Sequence, residues 1–321
     1  MSYVAEVRVV NGVPPTGAYS FAKYNKQEFI HQSQRVKSID LHSTQLWILA
    51  ALHSGSVHIW NYKSQTMVKS LKISDSPVRS AKFIERNKWV VIGSDDKCIR
   101  VYDYNIMELI KQFEAYEDYI RCVSVHPSLP YVLSSSNDTS IKIWDWEKDW
   151  NCTHTFKEHT HYVMQAAFNP IHDSTFSTAS LDGTIKIWSL ESPSSVATMD
   201  GHSKGVNCVD YYVNGDKLYL LSGSDDYTAK VWDCETKSCV QIMEGHTNNV
   251  SAVCVHPELP IIITGSEDGT IRIWNAETYQ LEKTLNCSLE RVWAIGCIRE
   301  SHQVVFGCDN GTMMLKISGS N

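Results

Sequence analysis

The sequence predicts an all-β fold, a seven-bladed propeller that takes up nearly the whole chain. A six-residue segment ending in an aromatic returns at a near-constant period. The apolar residues between copies come in alternating or continuous runs of strand length. Gly, Asn, Asp and Pro stand between these runs, where turns are needed. The copies are GSVHIW (55–60), KCIRVY (97–102), TSIKIW (139–144), GTIKIW (183–188), YTAKVW (227–232) and GTIRIW (269–274), whose last residues are spaced 42, 42, 44, 44 and 42 apart. A seventh copy, GTMMLKI (311–317), ends 43 residues after Trp274. A chain of 321 residues would ordinarily suggest two domains, but seven units of this period leave only a short surplus at the start.

Each unit should hold four short strands. The last has residues for three before the chain stops, so a ring can close only if an N-terminal segment supplies the fourth. Residues near 24–32 suit that outer strand and would cover an otherwise open edge. The expected organisation is a flexible leader over 1–22, the propeller over 23–318 and a tail over 319–321.

Composition narrows the function classes. The 29 Lys and Arg against 36 Asp and Glu give a net charge of −7, which lacks the basic footprint of a nucleic-acid binder. No stretch approaches the roughly 20 consecutive apolar residues of a membrane-spanning helix, and no basic-then-apolar segment opens the chain. A cytosolic chain is the expectation. The ten cysteines include no C-x-x-C pair and mostly fall in strand-like runs, so they read as buried reduced thiols. Cys234 and Cys239, the nearest approach to paired ligands, make a weak case for zinc, and neither metal nor cofactor is expected.

Three repeats share a polar set that superficially suggests a catalytic triad: His159, Thr178, Asp182 and Trp188; His202, Ser222, Asp226 and Trp232; His246, Thr264, Asp268 and Trp274. A nucleophilic site is needed once, whereas this set occurs three times at similar offsets. It is therefore read as a buried hydrogen-bond relay, Trp N–H to hydroxyl to His to Asp, and not as an active site. Repeat three keeps Ser134, Asp138 and Trp144 but has Tyr116 in the histidine position. With a period of about 42, four strands per unit and Gly-His and Trp-Asp pairs at its ends, the repeat resembles a WD40 blade.

The function is expected where the loops of one face meet. Aligned first strands read QRVK (34–37), SPVR (76–79), DYIR (118–121), HYVM (161–164), KGVN (204–207), NNVS (248–251) and ERVW (290–293). The last column is basic only in the first three, which places Lys37, Arg79 and Arg121 in an arc around the channel mouth. Residues before the turn aspartate, Asp95, Asn137, Leu181, Asp225 and Glu267, lie on the same face, so acids should surround the basic arc. Separate positive and negative subsites would suit a short zwitterionic peptide. A solvated surface of weak ion pairs is the plainer alternative. Arg35 and Lys37, flanking Val36, form the sharpest element, a fork for a terminal carboxylate.

Longer runs carry a narrower resemblance. RVKSID (35–40), PVRSAKFI (77–84), DYIRCV (118–123), VLSSS (132–136), GVNCVDYY (205–212), HPELPIIITGSEDGT (256–270) and LERVW (289–293) are similar to the N-terminal propeller of the coatomer beta-prime subunit, over residues 33 to 318. The resemblance implies a cargo-binding propeller of the vesicle coat that returns proteins from the Golgi to the endoplasmic reticulum. It would be cytoplasmic and peripheral on Golgi membranes and coated vesicles, with dilysine tails of membrane cargo and other coatomer subunits as partners. On that resemblance Arg35 and Lys37 hold the terminal carboxylate, Arg79 lines the site, and Asp118 and Asp225 take lysine ammonium groups. Asn137 stands where the family carries an acid, which weakens one lysine contact, and His53 replaces a tyrosine. The family subunit continues into a second propeller and a helical solenoid, so the chain is read as a fragment or as a short paralogue that binds without assembling. The alternative is a stand-alone WD40 scaffold binding other peptides or proteins.

Overall fold

In the computed structural model, residues 9–10, 23–299 and 301–318 are described. They build seven sheets, each with four antiparallel strands that follow chain order in the first six; the fifth sheet also carries the short parallel strand Val9–Val10. The first strands are Val36–Leu41, Val78–Ile84, Ile120–Val125, Val163–Phe168, Val206–Asn214, Val250–Val255 and Val292–Ile298. Each abuts the first strand of the next sheet, and that of blade seven abuts that of blade one, so the sheets form a closed ring of blades. In blade seven Val292–Ile298, Gln303–Cys308 and Gly311–Ser318 are joined by Lys23–Gln32, which runs antiparallel to Gly311–Ser318 from Lys23 opposite Ser318 to Gln32 opposite Gly311. The expected leader and tail lie outside the described residues, apart from Val9–Val10, which pairs in parallel with Val213 and Asn214. No helix among the described residues is long and apolar enough to cross a membrane.

The ring is held by a repeated packing element. Val36, Val78, Ile120, Val163, Val206, Val250 and Val292, one at the head of each first strand, are all fully buried. The second strand of the preceding blade makes room with a small residue. A Cβ added at Gly93 would lie 2.6 Å from Ile120, at Gly223 2.6 Å from Val250, at Gly265 2.5 Å from Val292 and at Gly307 2.7 Å from Val36. Burying each aliphatic side chain contributes roughly 1.5–3 kcal/mol. Second strands such as Ile261–Ser266 are buried along their whole length, whereas outer strands such as Leu109–Glu114 alternate.

That gradient corrects the reading of the cysteines. Cys122, Cys208, Cys254, Cys287 and Cys308 are buried, Cys98, Cys234 and Cys297 are half-buried, and Cys152 and Cys239 are exposed. The two exposed thiols lie on outer strands, where an apolar residue does not imply burial. All ten are free. Among the described residues no group of His, Cys, Asp or Glu could hold a metal.

On the face where the first and second strands join, a cap is reused. His256 Nδ1 accepts from the backbone N–H groups of Glu258 and Leu259, and His126 Nδ1 does the same for Ser128 and Leu129. In blade four Asn169 Oδ1 takes this role for Ile171 and His172. His256 is fully buried, and burial, with help from the charge of His302, lowers its pKa to about 4.

Two predictions follow from the packing and the cap. Gly223→Val should destabilise by roughly 1–3 kcal/mol, seen as an earlier urea midpoint, because the added atoms meet Val250 and Cys208. The unfolded chain binds a proton at His256 near pH 6.5 and the folded chain does not, so this stability is present above pH 6.5 and is lost as pH falls towards 4. His256→Asn keeps the acceptor and removes the titration; between pH 7 and pH 4.5 it should lose roughly 2 kcal/mol less than the parent in urea titrations. An unchanged pH slope would refute the assignment.

A charged ring at the channel mouth as candidate binding site

Every first strand carries a β-bulge directly after its buried aliphatic residue. The register shifts fall between Val36 and Ser38, Val78 and Ser80, Ile120 and Cys122, Val163 and Gln165, Val206 and Cys208, Val250 and Ala252, and Val292 and Ala294. The extra residues are Lys37, Arg79, Arg121, Met164, Asn207, Ser251 and Trp293. A bulged residue is unpaired in the ladder and its side chain is re-aimed. The column found by aligning the repeats is therefore a ring of bulge side chains.

The ring adds one feature to the expected layout: most of the acids on this face are bonded within their own blade. Arg79 Nε and Nη2 donate to the two oxygens of Asp95 at 2.8 and 2.6 Å. Asn207 Nδ2 donates to Asp225 at 2.7 Å, and Trp293 Nε1 to Asp309 at 2.7 Å. In blade three the partner is neutral, with Arg121 Nε donating to Asn137 Oδ1 at 2.5 Å. Glu267 bonds Asn249 of its own blade and Arg291 of the next. The repeated bulge geometry produces these pairs, since it turns one side chain back towards the end of the second strand.

Asp309 was not singled out from the sequence. It accepts from Arg35 Nε at 2.6 Å and from Arg291 Nε at 2.9 Å as well as from Trp293. Burial opposes its ionisation, but the Trp293 hydrogen bond and the charge of Arg35 outweigh that and hold its carboxyl below the usual range. The signal that would have found it is its 16-residue offset from Trp293, the same as between Arg79 and Asp95. Trp293 is also a cation platform: Lys37 Nζ lies 3.2 Å from its ring centroid, with the guanidinium carbons of Arg35 and Arg291 at 5.3 and 5.7 Å.

Among the six residues expected to bind a peptide, Arg35 and Arg79 are thus already ion-paired, to Asp309 and Asp95. Lys37 has no carboxylate within ion-pairing distance among the described residues. Desolvation, followed by repulsion from Arg79 and Arg35, lowers its pKa well below the ordinary lysine value. His53, beside it, is lowered by burial and then by Arg79, Arg35 and Lys37. Asp118 and Asp225 have no cation partner among the described residues: Asp118 accepts the backbone N–H of Tyr119, and Asp225 the Asn207 amide. Asn137 is buried against Arg121.

The polar sets of blades four, five and six have their His and hydroxyl members buried inside the blades. His159 Nδ1–H donates to Asp182 at 2.7 Å, Thr178 Oγ1 donates to His159 Nε2 at 2.7 Å, and Trp188 Nε1–H donates to Thr178 at 2.8 Å. His202, Ser222, Asp226 and Trp232 repeat the arrangement, as do His246, Thr264, Asp268 and Trp274. Burial works against each carboxylate, but hydrogen bonds from His and Thr outweigh it, so Asp182 and Asp226 are held below the usual range and Asp268 falls to about 2. In blade three Tyr116 bonds Ser134 directly, and Asp138 bonds only its own turn, at Ser140. The relay there ends one residue early. Asp182→Ala should accordingly cost about 2–4 kcal/mol in urea unfolding, and Asp138→Ala about 1 kcal/mol or less beyond its turn bond. Equal costs would show that the His–Asp link adds nothing.

Comparison with known proteins agrees with this architecture. The family described as WD domain, G-beta repeat, matches residues 24–61, 65–103, 107–145, 150–189, 193–233 and 237–275, and the chain belongs to that family. Each match takes in the outer strand of the preceding blade, and the unmatched seventh repeat is the one that ends in Ile317 where the others end in an aromatic, Trp or Tyr102. The chain is 73% identical over 235 residues to Coatomer subunit beta'-1 of Oryza sativa subsp. japonica, covering 73% of this chain and 26% of that protein. It is 68% identical over 238 residues to Coatomer subunit beta' of Drosophila melanogaster and 64% identical over 238 residues to that of Rattus norvegicus, in each case 74% of this chain and 26% of the relative. The match is shorter than the 33–318 span suggested by the motifs. The chain spans about a quarter of the length of the curated relatives it matches.

Proposed function

We propose that this WD40 propeller, similar to coatomer beta-prime subunits, captures C-terminal dilysine tails of membrane cargo at its channel mouth. It would do so as a peripheral, cytoplasmic element of a vesicle coat working between the Golgi and the endoplasmic reticulum, alongside other coatomer subunits. The observation that carries the reading is the state of three rim charges. Lys37 lacks a carboxylate among the described residues, while Asp118 and Asp225 lack a cation. A peptide end presenting a carboxylate and ammonium groups would compensate both signs at once. Arg35, held by Asp309 beside Trp293, is pre-positioned next to Lys37, and Arg79 is fixed by Asp95. The protein is a binding module. Its His, Asp and hydroxyl sets are closed relays shared by three blades, and none is assigned a chemical step.

Calorimetry on the full chain tests the reading. A peptide ending in Lys-Lys-x-x should bind in the micromolar to sub-millimolar range, and amidation of its C-terminus should abolish most of the affinity. Arg35→Glu with Lys37→Glu should weaken binding at least about tenfold. Rising salt should weaken it as well, since the rim is open to solvent. Only protonated Lys37 attracts a carboxylate, so affinity should fall as pH rises through its lowered pKa, well before an ordinary lysine titrates. If amidated and free peptides bind alike, the carboxylate site is wrong. A chain that ignores all such tails yet binds other peptides would be a stand-alone WD40 scaffold.

A further inference from the structure

The seven blades supply their own internal comparison. Where the bulge residue is a cation and the residue at the end of the second strand is an acid, as with Arg79 and Asp95, the pair is bidentate and self-compensated. Blade three has the same geometry with the acid replaced. Arg121 meets the side-chain oxygen of Asn137 through a single Nε contact, and among the described residues no carboxylate lies within ion-pairing distance of its guanidinium. The group lies with its carbon 5.6 Å from the Tyr162 ring centroid. It is half-buried and close enough to Arg79 to be repelled by it. Asn137 is itself buried, so it offers Arg121 a carbonyl oxygen and no countercharge.

Resting on the peptide-binding reading above, we propose that Arg121, left uncompensated by Asn137, makes blade three an anion-accepting subsite. The mouth then selects tails with an acidic side chain in addition to the terminal carboxylate. The physical reason is desolvation. A partly buried guanidinium facing only a neutral oxygen gains more from a ligand carboxylate than one already chelated as Arg79 is. A lysine ammonium placed there would face Arg121 and Asn137, with Asp118 and the Arg79-chelated Asp95 as the acids near it. The tail favoured by this chain is therefore of mixed charge: one lysine for Asp118 or Asp225, one acid for Arg121 and the terminal carboxylate for Arg35 and Lys37.

Five free-carboxylate peptides ending in Lys-Lys-x-x, Lys-Glu-x-x, Glu-Lys-x-x, Lys-Ser-x-x and Ser-Lys-x-x, titrated calorimetrically into the full chain and into Asn137→Asp, test this. One of the two Glu peptides should bind the parent about threefold or more tighter than its Ser counterpart, the scale of a partly exposed charge pair. In Asn137→Asp that advantage should vanish or reverse, while Lys-Lys-x-x tightens. Should Asn137→Asp not fold, Arg121→Gln supplies the second arm, removing the Glu advantage without strengthening Ser peptides. If both Glu peptides bind more weakly than their Ser counterparts while Lys-Lys-x-x binds and fails on amidation, the anion subsite is overturned and the dilysine reading stands. If none of the five binds, both fall together.

Discussion

The molecule depends on one contact made seven times, a fully buried aliphatic residue at the head of each first strand. In four of the seven interfaces it is seated against a glycine of the preceding blade. At Gly93, Gly223, Gly265 and Gly307 even a methyl group would collide with the neighbour, so the distance between blades is set by the absence of a side chain. That spacing lets the first strands meet around the axis. The bulge immediately after each aliphatic residue then delivers the next side chain to the mouth. Ring size, mouth and candidate site thus share a single origin.

The same repetition explains why most of the mouth is electrically quiet. A side chain that turns back towards its own second strand meets a residue of the same repeat. Charge in one copy is therefore matched locally, as in Arg79 with Asp95 and Arg291 with Asp309. Binding capacity arises where the copy is broken. Lys37 lies beside His53, whose pKa is lowered by burial and then by its cationic neighbours, and Arg121 faces Asn137. These departures are small in sequence, but each leaves a partly buried cation whose field is directed at whatever enters the mouth.

Much of this was legible in the sequence because a repeat carries its own alignment. The period, the seven blades, the participants in the three relays and the column that became the ring of bulges all follow from superposing copies. The bulge itself was not legible: one added residue shifts the register of a strand without altering its composition, and it was identified only from strand pairing. For that reason the bonds that tie several acids of the mouth to their own blade, Asp95 to Arg79 and Asp225 to Asn207, were not foreseen. Asp309 was missed because its repeat lacks the terminal aromatic residue that anchors the others. The exposed Cys152 and Cys239 were misjudged because outer strands tolerate apolar residues on a surface that alternates.

The closing sheet has a consequence for how the ring is made. Lys23–Gln32 and Gly311–Ser318 are partners from opposite ends of the described chain. The four main strands of each of the other six blades come from neighbouring segments, but the seventh requires the longest loop between paired main strands among the described residues to close, and loop closure grows more costly with length. On a ribosome the early strand waits, its hydrogen-bonding edge unpaired, until Gly311–Ser318 has been made. The interval in which that edge is open to other chains is therefore set by the time taken to translate the residues between the two strands.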